Sequence, residues 1–402
     1  MWVKFMVLKI TKKGQVEVTF NWVYILIAGA VILLFFAGII VKQKAASEDN
    51  LDREVVRIME NIFTAAQISE NTKTTIDISG LRDYTLFFSC DEGVSKYGLL
   101  GRTLPVEDPV NPIFAPSEIK SASLITWSVP YKLPFKVIDF LFVTSTNNKY
   151  VLWGDNEISS DFLRSVSNIS GKDESAKMGF NVLKVNNLTE IQPAPNIQIR
   201  IIDGIGQIND GDPIPSIIVE KMKNLRDETL TAVSFQGAGS SLTINFFVKE
   251  KLVWKKLNKE PIRMVSMGGK NDAARYGAIF SGNDQIYTCN MKKSFQRLFY
   301  LTEVYRGDDL TNTVGGKMSE MINYYQLHPE LTLTSECINY ISNNPENLQT
   351  ALQSHQNKVA ECLTRFTANL LPPECVGLVD TSLAVQNANQ NLAERGDCIP
   401  LY

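Results

Sequence analysis

The chain has 402 residues, 44% hydrophobic and 21% charged, the proportions of an ordinary globular protein that can bury a core. Lys plus Arg (40) against Asp plus Glu (43) leave a formal charge of -3. That offers no broad positive field for a phosphate backbone, so nucleic acid is excluded as an expected partner.

Residues 1–17 carry Lys4, Lys9, Lys12 and Lys13 and read as a cytoplasmic tail. From Val18 to Val41 the sequence VTFNWVYILIAGAVILLFFAGIIV runs without a charge. Its length of about 24 residues, at 1.5 Å rise each, spans roughly 36 Å and predicts a transmembrane helix over residues 18–42. Trp22 and Tyr24 suit one interface, and Lys42 and Lys44 close the other. The lipid bilayer is therefore the expected partner of this segment. A cleaved secretory signal would have a shorter apolar core, typically about 7 to 15 residues, so the span is expected to remain as a single-pass anchor.

Orientation is set only weakly by charge, since Lys42, Lys44, Arg53 and Arg57 follow the span. Two further features place the body outside the cytoplasm: an even set of six cysteines, and the glycosylation acceptor triplets Asn168-Ile169-Ser170 and Asn187-Leu188-Thr189. The residues leading into the span, Lys12-Lys13-Gly14-Gln15, resemble the class III signal of archaeal type IV pilin-like proteins. By that resemblance a prepilin peptidase would cut between Gly14 and Gln15, leaving the hydrophobic helix as an assembly and anchoring element. The match covers about 30 residues and differs from the pilin pattern in having Thr19, rather than Glu, fifth after the cut.

Beyond the membrane, an amphipathic stem helix is expected over residues 47–70. Leu51, Val55, Ile58, Ile62 and Ala65 form its apolar stripe, widened by Met59 and Phe63; Ser47 fits an N-cap, the alternatives being a helix continuous with the membrane span and a dimeric coiled coil. A mixed α/β domain is expected over residues 71–282. Its strands are predicted at 75–78, 84–88, 124–127, 140–143, 150–153, 180–185 and 197–202, with a helix at 159–166, an order compatible with a parallel α/β unit. Pro215 to Met222 fits a helix start, although its β-branched residues also fit a strand. Strands at 231–235, 242–248 and 252–257 follow, the last two joined as a hairpin.

A helical C-terminal region is expected over residues 283–402. The stripe Met291, Phe295, Leu298, Thr302 and Tyr305 stops before Gly307, and further helices are predicted at 336–341, 348–370 and 383–392. The fold class is accordingly α+β.

Reactive constellations are scarce. The chain has two histidines, His328 and His355, without zinc-ligand spacing to cysteine and without a nucleophile-elbow pattern to complete a triad. Gly237-Ala238-Gly239-Ser240-Ser241 lies between two predicted strands and reads as a turn, since a phosphate-cradling loop leads into a helix. Gly315-Gly316-Lys317-Met318-Ser319 lacks P-loop spacing. Asp203 with Asn209-Asp210-Gly211-Asp212 reads as an Asp/Gly-rich turn, with calcium ligation as the alternative. No cofactor and no metal is expected, and no catalytic residue is assigned.

Five of the six cysteines crowd the last third of the chain, and no CxxC occurs. Disulfides are expected among Cys337, Cys362, Cys375 and Cys398, with Cys337–Cys362 and Cys375–Cys398 as the leading pairs. Buried free thiols are the alternative. These readings converge on a single-pass, membrane-anchored envelope protein with a structural or interaction role, pilin-like in its N-terminus, self-associating or binding envelope proteins. The alternatives are an anchored ligand-binding subunit and a carboxylate-dependent envelope hydrolase, the latter because paired Asp and Glu leave no local motif.

Overall fold

A computed structural model of the chain describes residues 53–67, 69–102, 105–167, 180–185, 196–222, 226–307, 316–329, 334–343, 347–366, 370–394 and 398–402. The predicted tail, the span 18–42, Gly14 with Gln15 and both acceptor triplets lie outside these residues. Among the described residues no helix is long and apolar enough to cross a membrane. The chain divides into two compact units, Met1–Arg57 and Ile58–Tyr402. Of the first only residues 53–57 are described, as the opening of a helix, α1 (53–67).

The second unit is a mixed α+β body. On the part of α1 that belongs to it, Met59 and Phe63 are buried, four residues apart on one face. Phe63 meets Phe88 and Tyr97 at ring distances of 6.1 and 5.0 Å. Ile58 and Ala65, expected on the buried stripe, are exposed. The apolar face is rotated towards Met59 and Phe63 because aromatic partners wait there.

Three sheets follow. The strands are β1 (Lys73–Asp77), β2 (Leu86–Asp91), β3 (Val94–Leu99), β4 (Val106–Asp108), β5 (Ile113–Phe114), β6 (Glu118–Ile119), β7 (Ser123–Lys132), β8 (Lys136–Ser145), β9 (Asn148–Trp153), β10 (Asn181–Lys184), β11 (Gln198–Asp203), β12 (Leu230–Gln236), β13 (Thr243–Glu250), β14 (Val253–Lys256) and β15 (Ile262–Arg263). One sheet has the order β1-β7-β8-β5, a second β4-β3-β2-β6, and the largest β10-β9-β11-β12-β13-β14, with β15 on β13. In the largest sheet β10, β9, β11 and β12 are parallel and β13 and β14 antiparallel. The parallel α/β unit expected from the sequence is present, with α2 (Glu157–Ser167) between β9 and β10 and α3 (Ser216–Met222) between β11 and β12.

After β15 the regular elements among the described residues are helical: α4 (Ala273–Phe280), α5 (Asp284–Arg306), α6 (Lys317–Leu327), α7 (Thr334–Ile338), α8 (Leu348–Thr364) and α9 (Gly377–Ala393). Asn283 caps the start of α5 by accepting from the Ile286 N–H, and Gly307, at φ 81°, ends it in a conformation that costs glycine little. All eight residues of α4 are buried. Its Tyr276 and Phe280 lie against Trp127 and Phe142 of the β7–β8 sheet at 4.9 and 5.1 Å, and Phe280 against Tyr150 of the largest sheet at 5.4 Å. One core runs from these rings through Phe295 of α5 to Leu352, Val359, Leu378 and Val385 of α8 and α9, so residues 71–282 and 283–402 share it.

His355 of α8 is fully buried, with Nδ1 2.8 Å from the Thr381 hydroxyl of α9. Burial pushes its imidazole down to about 4, from 6.5. The unfolded chain therefore takes up the proton first, and the contribution is complete above pH 6.5 and lost as pH falls towards 4. Urea denaturation should show a loss of up to about 3 kcal/mol over that window, and His355→Gln should flatten that part of the slope. An unchanged slope in the variant would show that other groups govern acid lability.

Candidate functional site

In β11 the sequence Gln198-Ile-Arg-Ile-Ile-Asp203 places one charge within a buried parallel strand. Successive side chains point to opposite faces. Ile199 and Ile201 enter the core on the α3 side of the sheet, while Ile202 joins the core shared with α4. Arg200 shares the parity of Ile202 and stands between Tyr150 of β9 and Thr231 of β12 in the strand register.

Arg200 is 6% exposed. Its Nη2 donates to the carbonyl of Ala278 in the last turn of α4 at 3.1 Å, and the guanidinium carbon lies 5.3 Å from the Phe246 ring. Both contacts favour a cation, one through an otherwise unpaired C-terminal helix carbonyl and one through the ring face. Nε and Nη1 have no hydrogen-bond partner, and no carboxylate among the described residues pairs with the group. Burial pushes the guanidinium down to about 9, from 12.5, so it is still charged at neutral pH.

This side chain lines a cavity of about 320 Å³, at the lower end of the size that small-molecule sites occupy. Val248, Leu257, Ile279 and Phe280 give it an apolar wall; Gln198, Thr231 and Asn283 add polar groups. Glu118, Arg226 and Glu228 also line it, the last two as exposed residues. Asn148, Gln198 and Thr231 sit at or next to the first residues of β9, β11 and β12. The cavity is thus at the amino ends of the parallel strands, opposite to the carboxyl-end crevice in which doubly wound sheets hold nucleotides.

The buried charges Asp161, Asp272, Arg275 and Lys293 have an opposite charge or hydrogen-bond acceptors near them, although Arg275 Nε and Nη1 and Asp272 Oδ2 also lack hydrogen bonds. A second cavity, of about 390 Å³, includes Asp272, Asn271 and Lys132. There Asp272 caps α4 by accepting from the Ala274 and Arg275 N–H groups, and burial raises its carboxyl. Arg275 stands 3.8 Å from Asp272 and 3.5 Å from Asp161, which also accepts from the Tyr276 hydroxyl at 2.8 Å. Lys293 of α5 is buried, yet its ammonium donates to Ser95 Oγ, Asp108 O and Asn111 O at 2.6 to 2.9 Å. With three acceptors it acts as a tie between α5 and the β2–β3 sheet.

The expected turns are turns. Gly237–Ser241 joins β12 to β13, with Gly237 at φ 92°. Asp203 is fully buried and accepts from Ile205 N, Ile208 N and Ser234 Oγ, Asp212 accepts from Asn209, and Asp210 accepts from Lys256 N. These oxygens hold the loop together, and among the described residues no group of three or more His, Cys, Asp or Glu could hold a metal ion.

All six cysteines are in disulfides: Cys90–Cys289, Cys337–Cys398 and Cys362–Cys375. The four C-terminal cysteines expected to be bridged are bridged, but the leading pairs are exchanged. Cys375 lies in a short 3-10 turn, Pro373–Val376, that packs against α8, which carries Cys362. The C-terminal segment returns along α9, with Asn389 bonded to Leu401 N and Tyr402 O, and brings Cys398 to Cys337 of α7. Tertiary return of the chain, which spacing does not encode, decides the partners.

The sequence reading did not single out Arg200. The signal was present, as one arginine at an alternation position within a β-branched run that a parallel sheet buries on both faces. Compared with protein-family models, curated proteins and solved structures, the chain matches none.

Proposed function

We propose that this chain is a single-pass, membrane-anchored envelope protein whose body lies outside the cytoplasm and acts by binding a small ligand in the Arg200 cavity. The observation that carries the binding role is the buried guanidinium that no carboxylate among the described residues pairs with, at the wall of a mostly apolar cavity. It moves the anchored ligand-binding reading ahead of a purely structural one. A hydrolase is less favoured: Asp272, the one carboxylate of the second cavity, is already used as a helix cap, and of the two carboxylates on the first, Glu118 and Glu228, the latter is exposed to solvent, without the burial that an acid catalyst needs.

The placement rests on residues 18–42 as the anchor, on a stem helix leading from it, and on three disulfides that use every cysteine. Such bridges persist in oxidising compartments. The pilin-like reading rests on Gly14, Gln15 and the span that follows.

Protease shaving of intact cells, with mass spectrometry of the N-terminus, tests topology and processing together. External protease should digest the body, and processing should leave Gln15 as the first residue. If the body survives while a known surface protein is digested, the placement is wrong. An intact Met1 would remove the pilin-like reading alone.

A further inference from the structure

Resting on the binding role just proposed, we infer that the ligand of the Arg200 cavity is a small organic carboxylate, a monoanion with an apolar body. An anion is required by charge. A buried ion without a partner is among the costlier features a fold can carry, and here the side chain is held by one carbonyl and one ring. Nη2 spends one proton on Ala278 and keeps another. The second N–H of Nη2 is therefore left to meet one oxygen of an anion, while Nε and Nη1 are enclosed by the core and would need a small rotation of the side chain to complete a fork.

The ligand's charge follows from where the charges sit. Arg200 is the buried cation, and Arg226, Glu118 and Glu228 on the lining sum to one negative charge. A monoanion matches Arg200 locally, whereas a dianion such as phosphate would meet the surplus carboxylate. Its body follows from the wall, since Val248, Leu257, Ile279 and Phe280 present carbon to whatever lies beyond the charged end. Thr231 and Gln198 supply neutral polar groups beside the guanidinium's strand position.

The test uses the full chain in a non-ionic detergent, with benzoate, its neutral isostere benzamide, inorganic phosphate and a set of uncharged fragments of similar size, titrated by calorimetry. Benzoate should bind at least tenfold more tightly than benzamide and phosphate, a charge-assisted margin of the usual size. Arg200→Gln keeps a donor for Ala278 and removes the charge, so the preference for benzoate over benzamide should fall to about twofold or less. Val248→Trp, which narrows the cavity and leaves the charge of Arg200 in place, should weaken both aromatic ligands, and it serves where Arg200→Gln does not fold.

If benzoate keeps its preference in Arg200→Gln, or phosphate outcompetes it in the parent, the carboxylate assignment is overturned. If uncharged fragments bind, are lost in Val248→Trp and outrank benzoate, the binding role stands and the carboxylate falls. If nothing in the set binds the parent, both fall.

Discussion

Replacing Cys90 and Cys289 together by alanine is expected to be the most destabilising of the three disulfide deletions, by as much as about 5 kcal/mol. The bridge closes a sequence separation of 199 residues, against 61 for Cys337–Cys398 and 13 for Cys362–Cys375. In the chain-entropy account the unfolded state loses more freedom the longer the loop, so the short Cys362–Cys375 bridge should contribute about 3 kcal/mol. It is also nested inside the 61-residue loop and shortens it to about 50 residues, so those two deletions should not add. The first bridge shares no loop with either and should add to both. Urea midpoints of the three double-alanine variants check the order, which is refuted if the Cys362–Cys375 variant loses most.

Arg275→Ala should cost about 3 to 5 kcal/mol, because it leaves Asp161 and Asp272 buried with no cation of their own. Two comparisons separate this from a simple packing loss. Adding Asp161→Asn to the variant should recover part of the stability, since it neutralises one stranded carboxylate while leaving an acceptor for the Tyr276 hydroxyl. The variant should also gain stability relative to the parent as pH falls towards 4. Asp272 already has a raised folded-state pKa through burial, so the folded state takes up the proton first and stability drops as pH rises through that value. Removing Arg275, which now lowers that pKa, widens the window. A loss below about 1 kcal/mol at pH 7, or no recovery in acid, would show that the cluster is not electrostatically coupled.

Much of the scaffold could be read from period and punctuation. The alternating and β-branched runs at 140–143 and 150–153 fall within β8 and β9, those at 75–78 and 197–202 fall within β1 and β11 but for one residue each, and the stripe from Met291 to Tyr305 ends where Gly307 ends α5. What could not be read shares a physical cause. In α4, Ala-Ala-Arg-Tyr-Gly-Ala-Ile-Phe is buried on every side, so it has no polar face to mark a 3.6-residue period. Strand β3 carries Lys96 and Gly98, which hide it. Strand β7 runs on to Lys132 through Pro130, beyond the reach of β1, whose pairing ends at Trp127. Proline's missing N–H is tolerated on that unpaired side. The cavity was legible only as Arg200 out of place in an apolar strand, because its wall comes from β13, α4 and loops far apart in sequence.

The two wide disulfides also set the body's mechanics. Under tension between Ile58 and Tyr402, the shortest covalent route leaves the backbone at Cys90, rejoins it at Cys289, leaves again at Cys337 and ends just past Cys398. Residues 91–288 and 338–397 are off that route and bear no load. Even with every non-covalent contact broken, only about 90 residues could lengthen, roughly 300 Å at full extension, while the strands that build the Arg200 cavity would remain unstretched.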